Sequence, residues 1–270
     1  MQSTWQPKAR ISPECVWLVS ISLGQIQSPR SMPMHSFRSL RKWVSWLWLF
    51  SISALLAQGA ENGEKSIPRI LIIGDSISIG YTQPLMELFK GEAEVHHNPG
   101  NAQHSGHGLA HLEAWLGDAS WDVIHFNHGL HDLKYVDAQG KNTRSKEDGH
   151  IQIPLKSYGE NLEKIAKRLK QTGAHLIFAT TTPFPDRPSG PLREAQETQR
   201  YNQVARDIMH RHGIPINDLH ALALPKLTDW QQPHNVHFTK EGSLELAKDC
   251  LLYTSPSPRD RTRSRMPSSA

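Results

Sequence analysis

Cysteine is nearly absent from this chain: Cys15 and Cys250 are the only two in 270 residues. Both lie outside or at the edge of the regularly patterned segment, so no internal disulfide is expected and a disulfide-stapled scaffold is excluded. Long apolar runs are missing too. The uncharged stretch from Trp43 to Leu56 is too short to span a bilayer comfortably, which takes ~20 residues. Basic charge is scarce once the ends are set aside. Of 30 Lys and Arg, six precede residue 43 and four follow residue 258, leaving 20, whereas only Glu14 and Asp260 leave the 26 acidic residues, so 24 remain. The middle of the chain is therefore about four units acidic, and the pI near 9.1 belongs to the ends. That excludes an electrostatic case for nucleic acid as a partner.

The ends do not read as folded protein. Residues 1–33 have no sustained period and are expected to be a mis-called upstream segment, with Met32 or Met34 as the start. From there, a basic run (Arg38, Arg41, Lys42), the apolar stretch to Leu56 and the small residues Ala57 to Ala60 make a secretory signal peptide over 34–60. The expected location is secreted or periplasmic, in a bacterial-type host, with no stable membrane insertion after cleavage. Residues 251–270, rich in Ser, Pro and Arg, are expected to be a disordered, artefactual tail. One domain over 66–250 remains, long enough for a real core.

That domain alternates between two periods. Ile70 to Ile73 is a β-branched run that stops at Gly74-Asp75-Ser76, which predicts a buried strand and a tight turn. A helix follows over 79–90, with Pro84 marking the start of its regular part. Further strands are predicted at 93–96, 123–126, 175–180 and 214–216. Helices are predicted at 108–116, 157–171, 193–212 and 240–250, and the polar stretch 137–152 reads as a surface loop. Strands separated by helices of this length mean βαβ units and a parallel sheet covered on both faces. In such sheets ligands gather at the carboxyl ends of the strands. Ser76 follows the first strand, Gly100 the second and His131 the third, while Asn235-Val236-His237-Phe238 precedes the last helix. From its own stretch Ser76 is either a nucleophile or a helix cap. A hydroxyl becomes a nucleophile only where a base takes its proton, and a histidine is the usual base.

As an ordered set these residues resemble the SGNH (GDSL-type) hydrolase family over nearly all of 69–249. Gly74-Asp75-Ser76-Ile77 matches its first block, which implies Ser76 as nucleophile and its backbone N–H as an oxyanion donor. Gly100, in Asn98-Pro99-Gly100, matches the block that supplies a second donor, and Val236-His237-Phe238-Thr239 makes His237 the general base. The resemblance implies a three-layer α/β/α sandwich with a flavodoxin-like parallel sheet, and ester hydrolysis through an acyl-enzyme without a cofactor.

Two positions depart from the family pattern. Where it reads Gly-x-Asn-Asp, this chain has Gly129-Leu130-His131-Asp132, so an imidazole N–H must stand in for the amide donor. The triad acid is expected three residues before the histidine, at a position that is His234 here. Asp229 is the nearest replacement, with a Ser-His dyad oriented by a carbonyl as the fallback. Asn127 and His128 are expected either to line the substrate pocket or to cap their turn. His104, His107 and His111 fall near one helical face; a zinc site on them is conceivable, but no accompanying carboxylate or cysteine motif supports it, so no metal is expected. The resulting expectation is a serine esterase acting on a small-molecule or carbohydrate ester, with acetylated sugar as the favoured substrate. The alternative is a carbohydrate-binding module that keeps the fold without the chemistry.

Overall fold

The computed structural model describes residues 67–254. The upstream segment 1–33, the signal peptide 34–60 and residues 255–270 of the expected tail lie outside the described residues. Among the described residues no helix is long and apolar enough to cross a membrane.

The first described element is β1 (Arg69–Ile73), whose last four residues are at most 2% exposed. Burying each of these side chains stabilises the fold by roughly 1.5–3 kcal/mol. Helix α1 (Ser76–Leu88) follows without a connecting loop, because the Asp75 side chain accepts the Ile77 N–H at 2.9 Å and caps it. This corrects the expected start near Pro84, which instead sits inside α1. The cap upstream and the burial of Ile77, Tyr81 and Leu85 hold a helix that local propensity would have begun later.

The alternation then continues through β2 (Glu94–His97), α2 (Ser105–Leu116) and β3 (Val123–Phe126). The stretch read as a loop is bounded by two short antiparallel strands, β4 (Tyr135–Val136) and β5 (His150–Ile151). Next come α3 (Leu155–Lys170), β6 (His175–Ala179), α4 (Ala195–His212) and β7 (Ile216–Asn217). Two short helices not expected from the sequence, α5 (Leu219–Ala223) and α6 (Leu227–Trp230), lead to the last helix, α7 (Lys240–Thr254). That helix extends past Cys250 into the expected tail, with Cys250 and Thr254 both fully buried.

The main sheet runs β2-β1-β3-β6-β7 with every pair parallel. Right-handed crossovers then require the helices to divide between the two faces. Accordingly α1 packs on α7, while α2, α3 and α4 form a row, completing the expected α/β/α sandwich. The chain leaves β1 toward β2 on one side and returns to β3 on the other. The carboxyl ends of β1 and β3 therefore flank the switch point where a crevice opens.

Candidate active site

Ser76 and His237, 161 residues apart, meet at that switch point. Ser76 stands in the first turn of α1, and His237 lies in the loop before α7. This loop is fixed from both sides: Thr239 N–H donates to Trp230 O at 2.7 Å, Gln232 N–H donates to His237 O at 2.9 Å, and buried Gln231 donates to Pro183 O at 2.6 Å. The result is a Ser76 Oγ to His237 Nε2 distance of 2.9 Å.

The other ring nitrogen reveals a residue that sequence reasoning missed. His237 Nδ1 lies 2.8 Å from Asn235 Oδ1, and the backbone N–H of His237 donates to the same oxygen at 3.1 Å. A backbone N–H can only donate, so the Asn235 atom facing it must be the oxygen. That oxygen then holds the proton on Nδ1 and leaves the Nε2 lone pair facing the serine hydroxyl. A base needs this tautomer. The acid expected from Asp229 is not there. Asp229 is exposed on α6, beside the Thr228 hydroxyl and 4.0 Å from Lys226. His234 is exposed, with a left-handed backbone (φ 54°), and its carbonyl accepts the Ser189 N–H at 2.7 Å. With the chain turning there, the residue two positions before His237, rather than three, reaches the imidazole.

The three residues expected to hold an oxyanion, Ser76, Gly100 and His131, each keep either an N–H that no acceptor takes among the described residues or a neutral ring. Ser76 is the first residue of α1, where an N–H has no intrahelical acceptor, and neither it nor the Gly100 N–H has a hydrogen-bond acceptor among the described residues. Gly100 sits at φ 66°, in a turn that Asn98 organises. The Asn98 amide accepts the Gly74 N–H at 2.9 Å and donates to Gly100 O at 3.3 Å, which ties this turn to the end of β1. His131 is the third. Burial, and then the positive charges of Lys134 and Arg193, lower its pKa to about 3, so the ring is neutral and carries one N–H. Its Nδ1 is enclosed without a partner.

Two carboxylates support the site from beneath. Asp75, fully buried, is raised by burial and opposed in turn by the Ile77 N–H, Arg193 and His237. Asp132, next to His131, accepts from the Ser105 N–H at 2.9 Å and the Ser105 hydroxyl at 2.5 Å, and burial raises it to about 7. It anchors the start of α2 to the end of β3.

The remaining expected positions do other work. Asn127 donates to Ala179 O at 2.7 Å and so ties the ends of β3 and β6 together. His128 is 2% exposed beneath α2, where a Cβ on Gly108 would collide with its ring, and is no pocket-lining residue. His104 caps α2 by accepting the His107 N–H at 3.1 Å, and His107 stacks on His111 with centroids 3.9 Å apart. Among the described residues no group of three or more His, Cys, Asp or Glu side chains is placed to hold a metal ion.

A family model for the GDSL-like lipase/acylhydrolase family matches residues 72–243. No curated protein matches the chain. Among solved structures, a lipase/acylhydrolase from Enterococcus faecalis is 19% identical with a TM-score of 0.56, covering 75% of this chain and 100% of its own. An acetylxylan esterase from Geobacillus stearothermophilus is 17% identical with a TM-score of 0.53, covering 68% and 92%. The psychrotrophic esterase EstA from a Pseudoalteromonas species, solved with monoethylphosphonate as inhibitor, is 16% identical with a TM-score of 0.52, covering 68% and 95%. At these identities the likeness is one of fold.

Proposed function

The chain belongs to the GDSL-like lipase/acylhydrolase family, and on that premise we propose that it is a serine esterase whose substrate is an acetylated carbohydrate. The observation that carries the reading is the ordered chain from Ser76 through His237 to Asn235, at 2.9 and 2.8 Å. Ser76 Oγ attacks the ester carbonyl while His237 Nε2 takes its proton. The tetrahedral oxyanion is held by the N–H groups of Ser76 and Gly100 and by His131. His237 then returns the proton to the departing alcohol, and a water activated by the same imidazole releases the acid from Ser76. All of these roles fall to the chain's own residues.

A small acyl group is supported by the name of the Geobacillus relative, an acetylxylan esterase. Export of the protein, read from residues 34–60, would bring it to polysaccharide outside the cell. A second reading, a carbohydrate-binding module, draws on one observation: among the described residues no carboxylate hydrogen-bonds to His237. The experiment that separates them is hydrolysis of p-nitrophenyl acetate, with fluorophosphonate labelling in parallel. The esterase reading expects turnover and labelling, both lost in Ser76→Ala, with kcat/KM down by about 10³-fold or more in that variant and in His237→Ala. A folded parent protein that neither turns over nor labels would give the binding module precedence.

A further inference from the structure

Arg193 was not singled out in the sequence, yet it is 7% exposed and reaches the site from the segment before α4. Two strands of chain run side by side there. Tyr135 N–H donates to Leu192 O at 2.9 Å, and Arg193 Nε donates to Leu130 O at 3.0 Å, next to His131. Lys134, half-buried, precedes Tyr135 on the same strand of chain. The two cations are close enough for each to be felt elsewhere: Arg193 disfavours the charged form of Lys134, and both disfavour that of His131.

Each nearby carboxylate has another donor on at least one oxygen; buried Asp75 also favours the charged form of Arg193 without sharing a hydrogen bond with it, and one Asp132 oxygen is sealed without a partner. Asp75 accepts the Ile77 N–H, Asp132 is taken by Ser105, and Glu194 is held by Tyr135 at 2.9 Å and Lys146 at 2.8 Å. Among the described residues neither Arg193 nor Lys134 forms an ion pair, and no partner is found for the two terminal guanidinium nitrogens of Arg193. Those nitrogens are not among the fully sealed, unpartnered atoms, although the side chain as a whole is buried. Removing an arginine from water without a hydrogen-bonded counter-charge is costly unless a ligand supplies one. With Nε spent on Leu130, the remaining planar pair of N–H donors matches the two oxygens of a carboxylate.

We infer that Arg193 and Lys134 form an anion subsite beside His131 that takes a carboxylate carried by the ester substrate. This rests on the esterase reading and narrows it. The carboxylate belongs either to the alcohol part, as in an acetylated uronic acid, or to the acyl part, as in a hemisuccinate.

Two matched pairs of substrates separate these sources. One is mono-O-acetylated methyl galacturonoside as the free acid and as its methyl ester; the other is p-nitrophenyl hemisuccinate and p-nitrophenyl butyrate. The wild-type protein is expected to prefer the anion in one pair by about 10- to 100-fold in kcat/KM, the range of a charge-assisted contact, and mainly through KM. That ratio should fall toward one in Arg193→Gln and in Lys134→Gln, be partly kept in Arg193→Lys, and shrink as salt is added. Should Arg193→Gln not fold, Lys134→Gln alone decides. A purely structural arginine would lower all rates together and leave the ratio unchanged. Ratios near one in both pairs for an active wild-type enzyme, or ratios untouched by the variants, overturn the inference. If no ester is turned over, NMR titration with methyl galacturonoside and its methyl ester decides: selective binding of the acid sustains the subsite while the esterase reading falls, and equal or absent binding removes both.

Discussion

Replacing Asn235 by aspartate tests the account of His237 directly. In the native site the amide oxygen fixes the tautomer but carries no charge with which to stabilise the imidazolium that forms as Ser76 attacks. A carboxylate in the same place, 2.8 Å from Nδ1, would put a full negative charge about 4 Å from the centre of the imidazolium, which is worth about 4 kcal/mol at an effective dielectric constant of ~20. Both residues are partly open to solvent, and screening reduces this by about half. About 2 kcal/mol of transition-state stabilisation corresponds to about a 30-fold rise in kcat. Asn235→Ala removes the acceptor of both the backbone N–H and Nδ1–H, frees the tautomer, and should lower kcat by about 10²-fold. The assay is steady-state hydrolysis of p-nitrophenyl acetate at pH 8, with unfolding curves to confirm that each variant is folded. An Asn235→Asp enzyme no faster than the parent, or an Asn235→Ala enzyme within twofold of it, would refute the role given to the amide.

His131→Ala should lower kcat by about 10²–10³-fold with little change in KM, the usual cost of one oxyanion donor, and His131→Asn should recover most of the loss. Acid should destabilise the fold. Burial lowers the pKa of His125 and His128 to about 4 and that of His131 to about 3, so between those values and the ordinary 6.5 the folded protein binds fewer protons than the unfolded chain, and stability falls as pH drops through that window. Asp132, raised from 3.8 to about 7, and Asp75, also raised by burial, work in the opposite direction, but three groups outweigh two. In urea unfolding between pH 6 and 4, His125→Phe should make the pH dependence shallower by about 1 kcal/mol per pH unit, somewhat less than one full proton.

How plainly the sequence announces a feature varies with how local its determinant is. The strand at Ile70–Ile73 and the placing of Ser76 at its carboxyl end are written in a short β-branched run and a turn, and His237 in a motif of adjacent residues. Asn235 was overlooked because its role depends on the turn at His234, whose left-handed backbone no pattern of residue types announces. Arg193 was overlooked for a different reason: only the pairing of residues 130–135 with 192–194 brings it to the site. Strands β4 and β5 are two residues each, too short for any period to show. The helix starts before Pro84 because the Asp75 cap and the buried face of Ile77, Tyr81 and Leu85 outweigh the single-residue preference of proline for a helix start.

The order of the parts along the chain has a consequence for biogenesis. The helix bearing Ser76 comes early, but its packing partner is the final helix, and the imidazole that would activate the serine enters only just before that helix. During synthesis the hydroxyl therefore spends nearly the whole time without its base. Any esterase activity would switch on late, when the segment from His237 through α7 docks, and earlier chain intermediates would be chemically silent.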